Sequence, residues 1–264
     1  MDHAAHTGRR WPTRFRIAWC VVSLFVVESI VFGLSILPAA FFWQWHASWT
    51  LQPGWLRVLV LAMAAIPAYV VFAVVFMALS ALSMRLFGWR PLPHVEVPIA
   101  AFPWPLLDWI RYTVSFHLVR VLVGTFLRTT PLWVFYMRLN GAKLGRRVWI
   151  NSLDVTDHCL LEFDDDVVIG GGVHLSGHTV ERGLWKTAPV RLARGVTVGV
   201  GANVEIGVEA GPECQVGALS AVTKFQRLDG YSSYAGIPAR KLVRAAGAES
   251  ETPAPTIEPA PWSE

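Results

Sequence analysis

The 264-residue chain is short of charge and of cysteine. Only 16% of its residues are charged, against roughly a quarter in ordinary soluble domains. Another 53% are apolar, and the mean hydropathy is +0.42. That balance excludes an ordinary soluble domain of this length, so part of the chain belongs in lipid. Cysteine occurs three times, with Cys20 in an apolar run and Cys214 on a row of small residues. This excludes a disulfide framework and agrees with a reducing compartment.

The missing charge is concentrated in two runs. Ile17 to Trp43 holds one charged residue, Glu28, and Val58 to Leu82 holds none. Each run exceeds the ~20 residues that cross a hydrocarbon core of ~30 Å, so two transmembrane helices are predicted within 17–90. The first run is too long and too Trp-flanked for a signal peptide, and no processing is expected. Glu28 is expected to be a protonated carboxyl bonded to a helix neighbour or another subunit rather than a catalytic group.

Basic residues orient these spans. Arg9, Arg10, Arg14 and Arg16 precede the first and Arg85 and Arg90 follow the second, whereas the loop between them holds only Arg57. Both ends are therefore predicted to face the cytoplasm. Residues 1–16 read as a basic cytoplasmic N-terminus, and residues 245–264, with four Glu and no Lys or Arg, as a disordered acidic tail. The basic remainder favours an anionic leaflet, so membrane lipids are expected partners and nucleic acid is not. Residues 91–140 contain "PWPLLDWIRYTVSFHLVRVLVGTFLRTTPLWVFYMRLN", which opens on Pro103 and Pro105 and mixes aromatics with Asp108, Arg111, Arg120, Arg128 and Arg138. Prolines suit a helix start, and aromatics beside arginine predict helices lying at headgroup level.

The C-terminal half carries a different period. Leu192, Val198, Val204, Ala210, Val216 and Val222 fall every sixth residue, and Val190, Val196, Ala202, Val208, Cys214 and Ser220 form a second row two places earlier. Strands repeat at two and helices at 3.6. A step of six fits a chain that turns a corner after each short strand and stacks coil upon coil into a prism, as in β-helix repeats. Gly199, Gly211 and Gly217 each follow an inward residue, where a tight corner suits a residue without Cβ. Earlier, Ala142/Leu144 and Val148/Ile150 fit one phase, and a one-residue slip leads to Val155. Leu161/Phe163, Val167/Ile169 and Val173/Leu175 then resume the step. "SGHTVERGLWKTAP", Ser176 to Pro189, is too polar to fill the prism and is predicted to be a loop thrown out from one corner, where chemistry tends to sit.

Leu144 to Arg244 resembles the left-handed parallel β-helix of the hexapeptide-repeat acyltransferases. The likeness rests on the hexad ladder, on "SGHTVE" in the place of the Gly-His loop of galactoside and maltose O-acetyltransferases, on "VGALSAVTK" and on the closing "YAGIPARKLVR". Two spans, a "RTTPLWVFYMRLNGAKLG" lead-in and this β-helix together also resemble the membrane-bound C-terminal part of Pls/PosA-type non-ribosomal peptide synthetases. The expected fold class is an α+β membrane protein: an N-terminal transmembrane α-hairpin (17–90), interfacial helices (91–140) and a left-handed parallel β-helix (141–244).

The resemblance implies transfer of an acyl group from acetyl-CoA or another acyl-CoA to a hydroxyl or amine. It also implies a homotrimer whose sites are shared between neighbours, and no metal. His178 matches the family's catalytic histidine, and an imidazole of intrinsic pKa ~6.5 suits a general base near pH 7. Asn151, in "VWINS", resembles the family's acceptor-binding Asn, and Glu181 is the expected partner orienting the imidazole. Donor binding is expected at Gly199, Gly201, Ala218 and Ser220, where backbone can approach closely, with Lys224, Arg240 and Lys241 for the nucleotide phosphates. "VTVGVGANV" has no Trp, Thr follows His178, and Phe225 follows "TK". These departures leave a carrier-protein thioester, or a peptide-synthetase partner, open as donor.

Two other readings stand beside this one. One is a non-catalytic trimeric scaffold for a biosynthetic complex. The other is a γ-carbonic-anhydrase-like zinc enzyme using His158, His174 and His178, although their spacing does not bring three imidazoles around one point. The expected location is the bacterial inner membrane, with the β-helix on its cytoplasmic face.

Overall fold

The computed structural model describes residues 11–243. Arg9, Arg10 and the predicted acidic tail lie outside them. Pro12 and Pro53, both in extended backbone, precede two long helices, α1 (Thr13–Ala47) and α2 (Gly54–Leu86). Proline fixes φ and lacks the donor that a first helical turn would leave unpaired, so it marks these starts. The two helices pack along a seam that includes Val31, Ala73, Phe76, Met77 and Ala81. Their other faces leave large apolar side chains such as Phe25, Met63 and Ile66 mostly exposed. An apolar sleeve of that extent suits lipid rather than water.

A third helix departs from the sequence expectation. α3 (Trp104–Val119) runs through a π-helical turn, Arg120–Gly124, into a short α4 (Thr125–Leu127). Together they span Trp104–Leu127, and among the described residues three helices rather than two are long and apolar enough to cross a membrane. Its charges argued for the headgroup level, but two of the arginines are internally compensated. Arg111 Nη1 lies 2.7 Å from Asp108 Oδ1, and Arg120 Nη2 lies 2.7 Å from Asp154 Oδ1 on the following domain. Glu28 of α1 accepts a hydrogen bond from Ser115 of α3, which ties the first and third helices together. Thr130 and Pro131 open α5 (Pro131–Leu139), which buries Trp133, Tyr136 and Met137 at the entrance to the next region.

From Lys143 onward the chain forms short strands in parallel sheets. Thr197 pairs with Gln215, Asn203 with Ala221 and Glu209 with Arg227, each partner eighteen positions on. Three hexads therefore make one coil, and three sheets line its sides, an arrangement consistent with a β-helix. Both predicted rows are inside: every member from Val190 to Val222 is buried. One outer side alternates in sign, with Lys143, Glu162, Arg191, Glu209 and Arg227 joined by ion pairs of 2.7–3.2 Å. Such exposed pairs stabilise little individually, about 0–1 kcal/mol each, but they keep this side wet.

The corner glycines serve close approach rather than unusual dihedrals. A Cβ on Gly199 would lie 2.5 Å from the Ala218 nitrogen, and one on Gly211 2.5 Å from the Gly230 nitrogen. Positive φ falls instead on Gly172, Gly195, Gly201 and Gly207.

Two interruptions break the stack, and both shape one corner. The coil containing Trp149 pairs with Val168, nineteen positions on. Near this slip, Asp157 takes a left-handed backbone (φ 51°) and a single 3₁₀ turn, His158–Leu160, follows. The predicted loop is an ordered hairpin, His178–Glu181 against Leu184–Thr187. Its two turn residues, Arg182 (φ 51°) and Gly183 (φ 74°), both have the positive φ that a tight two-residue turn requires. A third strand, Glu96–Pro98, pairs along the hairpin and straps it to the segment before α3.

Candidate active site

The two interruptions bring Asp157 and His178 together. Val155 bridges Leu175 between successive coils, so the residues after each strand share a corner. His178 Nδ1 lies 2.5 Å from Asp157 Oδ2, with the carboxylate side chain 1% exposed and the imidazole 25% exposed. Ser176 Oγ and Gly177 N donate to the same oxygen at 3.2 and 3.1 Å, and Thr156 Oγ1 does so at 3.2 Å. The other oxygen, Oδ1, accepts from Trp109 Nε1 at 3.0 Å. Trp109 belongs to α3, and its ring also packs on the His178 imidazole at 4.6 Å between centroids and on the buried Trp185 at 5.4 Å.

Burial pushes the Asp157 carboxyl up, but the hydrogen bond and charge of His178, with the Trp109 and Ser176 donors, outweigh it and hold the group below its ordinary value. An ionised Asp157 accepts from Nδ1–H. Among the described residues, Nε2 of His178 makes no hydrogen bond, so its lone pair is free to take a proton. An imidazole with a carboxylate on Nδ1 and a free Nε2 is the relation that general-base catalysis needs.

Cys159, Cys214, His158 and His174 offer no rival. Burial raises the Cys159 thiol to about 12 and the Cys214 thiol to about 11, so neither supplies a thiolate near neutral pH. Burial lowers His158 to about 4, and its Nε2 faces the Val155 carbonyl at 3.1 Å. His174 sits on a strand facing outward. Among the described residues no group of three or more His, Cys, Asp or Glu could hold a metal ion, so the three histidines do not converge.

The structure separates the remaining sequence-derived candidates. Glu181 does not reach His178; its carboxylate meets Lys224 Nζ at 2.5 Å and Lys186 Nζ at 3.6 Å. The orienting position expected for Glu181 is held by Asp157. Asn151 follows the strand Trp149–Ile150, at a different corner, and makes no described hydrogen bond with His178. Gly199, Gly201 and Ala218 stack at that same other corner, beside exposed Val200 and Leu219. Lys224 shares the His178 corner, two coils along, following the strand Ala221–Val222.

Ser220 differs from expectation: it is 1% exposed and inside the stack, its Oγ accepting from Gly236 N at 3.1 Å. It cannot face a groove. Arg240 and Lys241 form the exposed last strand, antiparallel to Ser233–Ala235, with Lys241 Nζ on Asp229 Oδ2 at 2.9 Å. Within one chain, therefore, the expected donor residues other than Ser220 lie on two corners and an end cap.

Asp157 and Trp109 were not anticipated. A signal existed for Asp157, since "TDHCLL" is where the hexad step slips and a polar run enters an inward phase. None existed for Trp109, which reaches the pair only through helix packing.

No protein-family model matches the chain. It is similar to the delta-poly-L-ornithine synthetase of Acinetobacter baumannii (strain AB307-0294), 22% identical over 145 residues, which is 54% of this chain and 11% of that protein. Among solved structures it is similar to a hexapeptide-repeat-containing acetyltransferase of Vibrio cholerae, with 21% identity, a TM-score of 0.36, and 39% of this chain against 62% of that one. A maltose O-acetyltransferase of Clostridium difficile 630 shows 21% identity and a TM-score of 0.36, over 39% of this chain and 59% of that one. The serine acetyltransferase of Neisseria gonorrhoeae shows 19% identity and a TM-score of 0.32, over 52% and 54%. The chain thus spans about a tenth of the curated relative and between half and two thirds of these solved chains.

Proposed function

We propose that this chain is a membrane-anchored acyltransferase whose stack of coils is a left-handed parallel β-helix and whose general base is His178. The observation that carries the reading is the Asp157–His178 pair: a buried carboxylate on Nδ1, with Nε2 unengaged at a corner of the stack. In the reaction proposed, a hydroxyl or amine attacks the thioester carbonyl and gives its proton to His178 Nε2. A bond forms between the acceptor oxygen or nitrogen and the carbonyl carbon, the carbon–sulfur bond breaks, and the proton passes from the imidazolium to the leaving thiolate, freeing a thiol. Asp157 holds the Nδ1–H tautomer and offsets the imidazolium charge, a role we assign to it in place of Glu181.

Acetyl-CoA or another acyl-CoA is the donor on this reading. A solved acetyltransferase of Vibrio cholerae is described in complex with acetyl coenzyme A. Gly199, Gly201 and Ala218 lie at a corner other than that of His178, so donor and base meet only if a second copy brings its corner alongside, as a homotrimer would. Asn151, at that second corner, would bind the acceptor across the same boundary. Lys224, Arg240 and Lys241 are the proposed phosphate contacts. The helices would anchor the stack at the cytoplasmic face of a bacterial inner membrane, beside membrane lipids and a carrier-protein or peptide-synthetase partner.

The test is thiol release from acetyl-CoA by the purified full chain with a panel of alcohols and amines. A His178→Ala chain is expected to lose about 10²–10⁴-fold in rate. Equal rates in the two chains would sink the assignment. Mass spectrometry of membrane lipids and secreted metabolites, with the chain present and absent, would identify the acceptor by one added acyl mass.

A further inference from the structure

Between α1 and α3, beside the residues that leave α2, lies a cavity of about 530 Å³. Its walls are apolar, with Trp19, Val22 and Val26 on α1 and Phe87 beyond α2, and its polar lining includes Asp108 and Arg111 of α3. Arg111 is only 2% exposed. Its Nε donates to Ser23 Oγ at 3.0 Å and its Nη1 to Asp108 Oδ1 at 2.7 Å, while the guanidinium lies 5.3 Å from the Trp89 ring. Arg111 Nη2 and Asp108 Oδ2 make no hydrogen bond among the described residues, so the pair retains both donor and acceptor capacity.

We infer that this cavity binds a single-chain amphiphile with an uncharged hydroxyl or amide head. The size lies within the ~300–1,000 Å³ of small-molecule sites, and apolar walls with a few convergent polar groups are the common pattern of such sites. The head follows from charge. Asp108 and Arg111 together carry no net charge, so an anionic or cationic head would place an uncompensated charge in an apolar cavity, which is costly. A hydroxyl or amide both donates and accepts, and so matches Asp108 Oδ2 and Arg111 Nη2 at once. The site neighbours the proposed chemistry along α3: the residue after Asp108 is Trp109, which packs on His178. An occupant entering from lipid past Val22 and Val26 would meet the polar pair one residue from the contact that holds the proposed base.

The experiment is photolabelling of the full chain in phospholipid nanodiscs with a long-chain alkyl alcohol bearing a diazirine, the labelled peptides being mapped by mass spectrometry. Label is expected on the segments carrying Trp19 to Val26 and Phe87. Unlabelled long-chain alcohols at the same concentration in the bilayer should compete with the probe for the cavity. Val22→Trp and Val26→Trp fill the cavity from positions whose side chains are largely exposed. Each should cut labelling several-fold, because the indole takes the room that the alkyl chain would occupy. A probe of the same chain with a sulfonate head should label several-fold less. Label spread evenly over the outer faces of α1 and α2 and indifferent to both substitutions, or equal labelling by the sulfonate probe, would overturn the assignment. His178→Ala should label as the parent does. A chain labelled in the cavity that never releases thiol from an acyl-CoA would uphold the binding site while refuting the acyltransferase reading.

Discussion

Replacing Asp157 by Asn changes one atom in the site and separates the two carboxylates that have been considered as the partner of His178. The five groups around Asp157 all reach it as donors: His178 Nδ1, Ser176 Oγ, Gly177 N and Thr156 Oγ1 on one oxygen, and Trp109 Nε1 on the other. An amide can present its oxygen to only one side. If that oxygen takes the place of Oδ2, the NH₂ faces the Trp109 N–H. If it is flipped, the NH₂ faces the Gly177 N–H and forces the proton of His178 onto Nε2, the atom that must accept. Either way a buried donor is left without an acceptor, and the charge that offsets an imidazolium is gone. We expect thiol release to fall about 10²–10⁴-fold, or ~3–5 kcal/mol of transition-state stabilisation. Glu181→Gln removes only a partly exposed pair with Lys224 and Lys186 and should change the rate by no more than about twofold. The assay is initial thiol release at saturating acyl-CoA, with thermal melting in the same detergent to confirm that both variants fold. A folded Asp157→Asn chain within about threefold of the parent, or a larger loss in Glu181→Gln, would refute the placement of Asp157 behind the base.

Three further outcomes follow from the same geometry. Because the folded-state value of Asp157 lies below the ordinary ~3.9 of an unfolded chain, its contribution is complete above that unfolded value. It is lost as pH falls through the folded one, so the Tm of the parent should drop more steeply below about pH 4 than that of Asp157→Asn in a detergent pH series. Trp109→Phe keeps an aromatic ring over His178 but deletes the donor to Asp157 Oδ1. It should cost ~1.5–3 kcal/mol of stability by denaturant unfolding and lower the rate less than Asp157→Asn does. Gly199→Ala puts a Cβ 2.5 Å from the Ala218 backbone nitrogen, whereas Gly172→Ala meets nothing within 4 Å but sits at φ +65°. The first should cost ~1–3 kcal/mol by crowding and the second ~1–2 kcal/mol by backbone strain alone, so Tm should fall in both and coil-to-coil amide protection chiefly in the first.

Much of the architecture was legible because it is written in local periods. Apolar runs longer than a bilayer is thick, one with a single charge and one with none, specified α1 and α2 without reference to any other residue. The hexad rows from Val190 to Val222 named the interior of the stack residue by residue, because an inward position repeats wherever coils are equal. The polar run from Ser176 to Pro189 announced its own departure from that interior, though its hairpin order came from pairing with Glu96–Pro98. α3 was harder to read. Its charges looked like a headgroup helix, and only packing showed Arg111 and Arg120 neutralised by Asp108 and Asp154.

The sequence by itself determined the first two apolar helices, which residues fill the stack, and that His178 stands on a corner where the repeat is broken. Tertiary structure alone decided that Asp157, and not the nearer Glu181, lies on its Nδ1, that Trp109 closes the pair from α3, and that Ser220 is walled in. The physical reason is that a repeat specifies only what recurs. A corner where the chain slips by one residue, and a helix laid across it, are settled by long-range packing, and no local period records that contact.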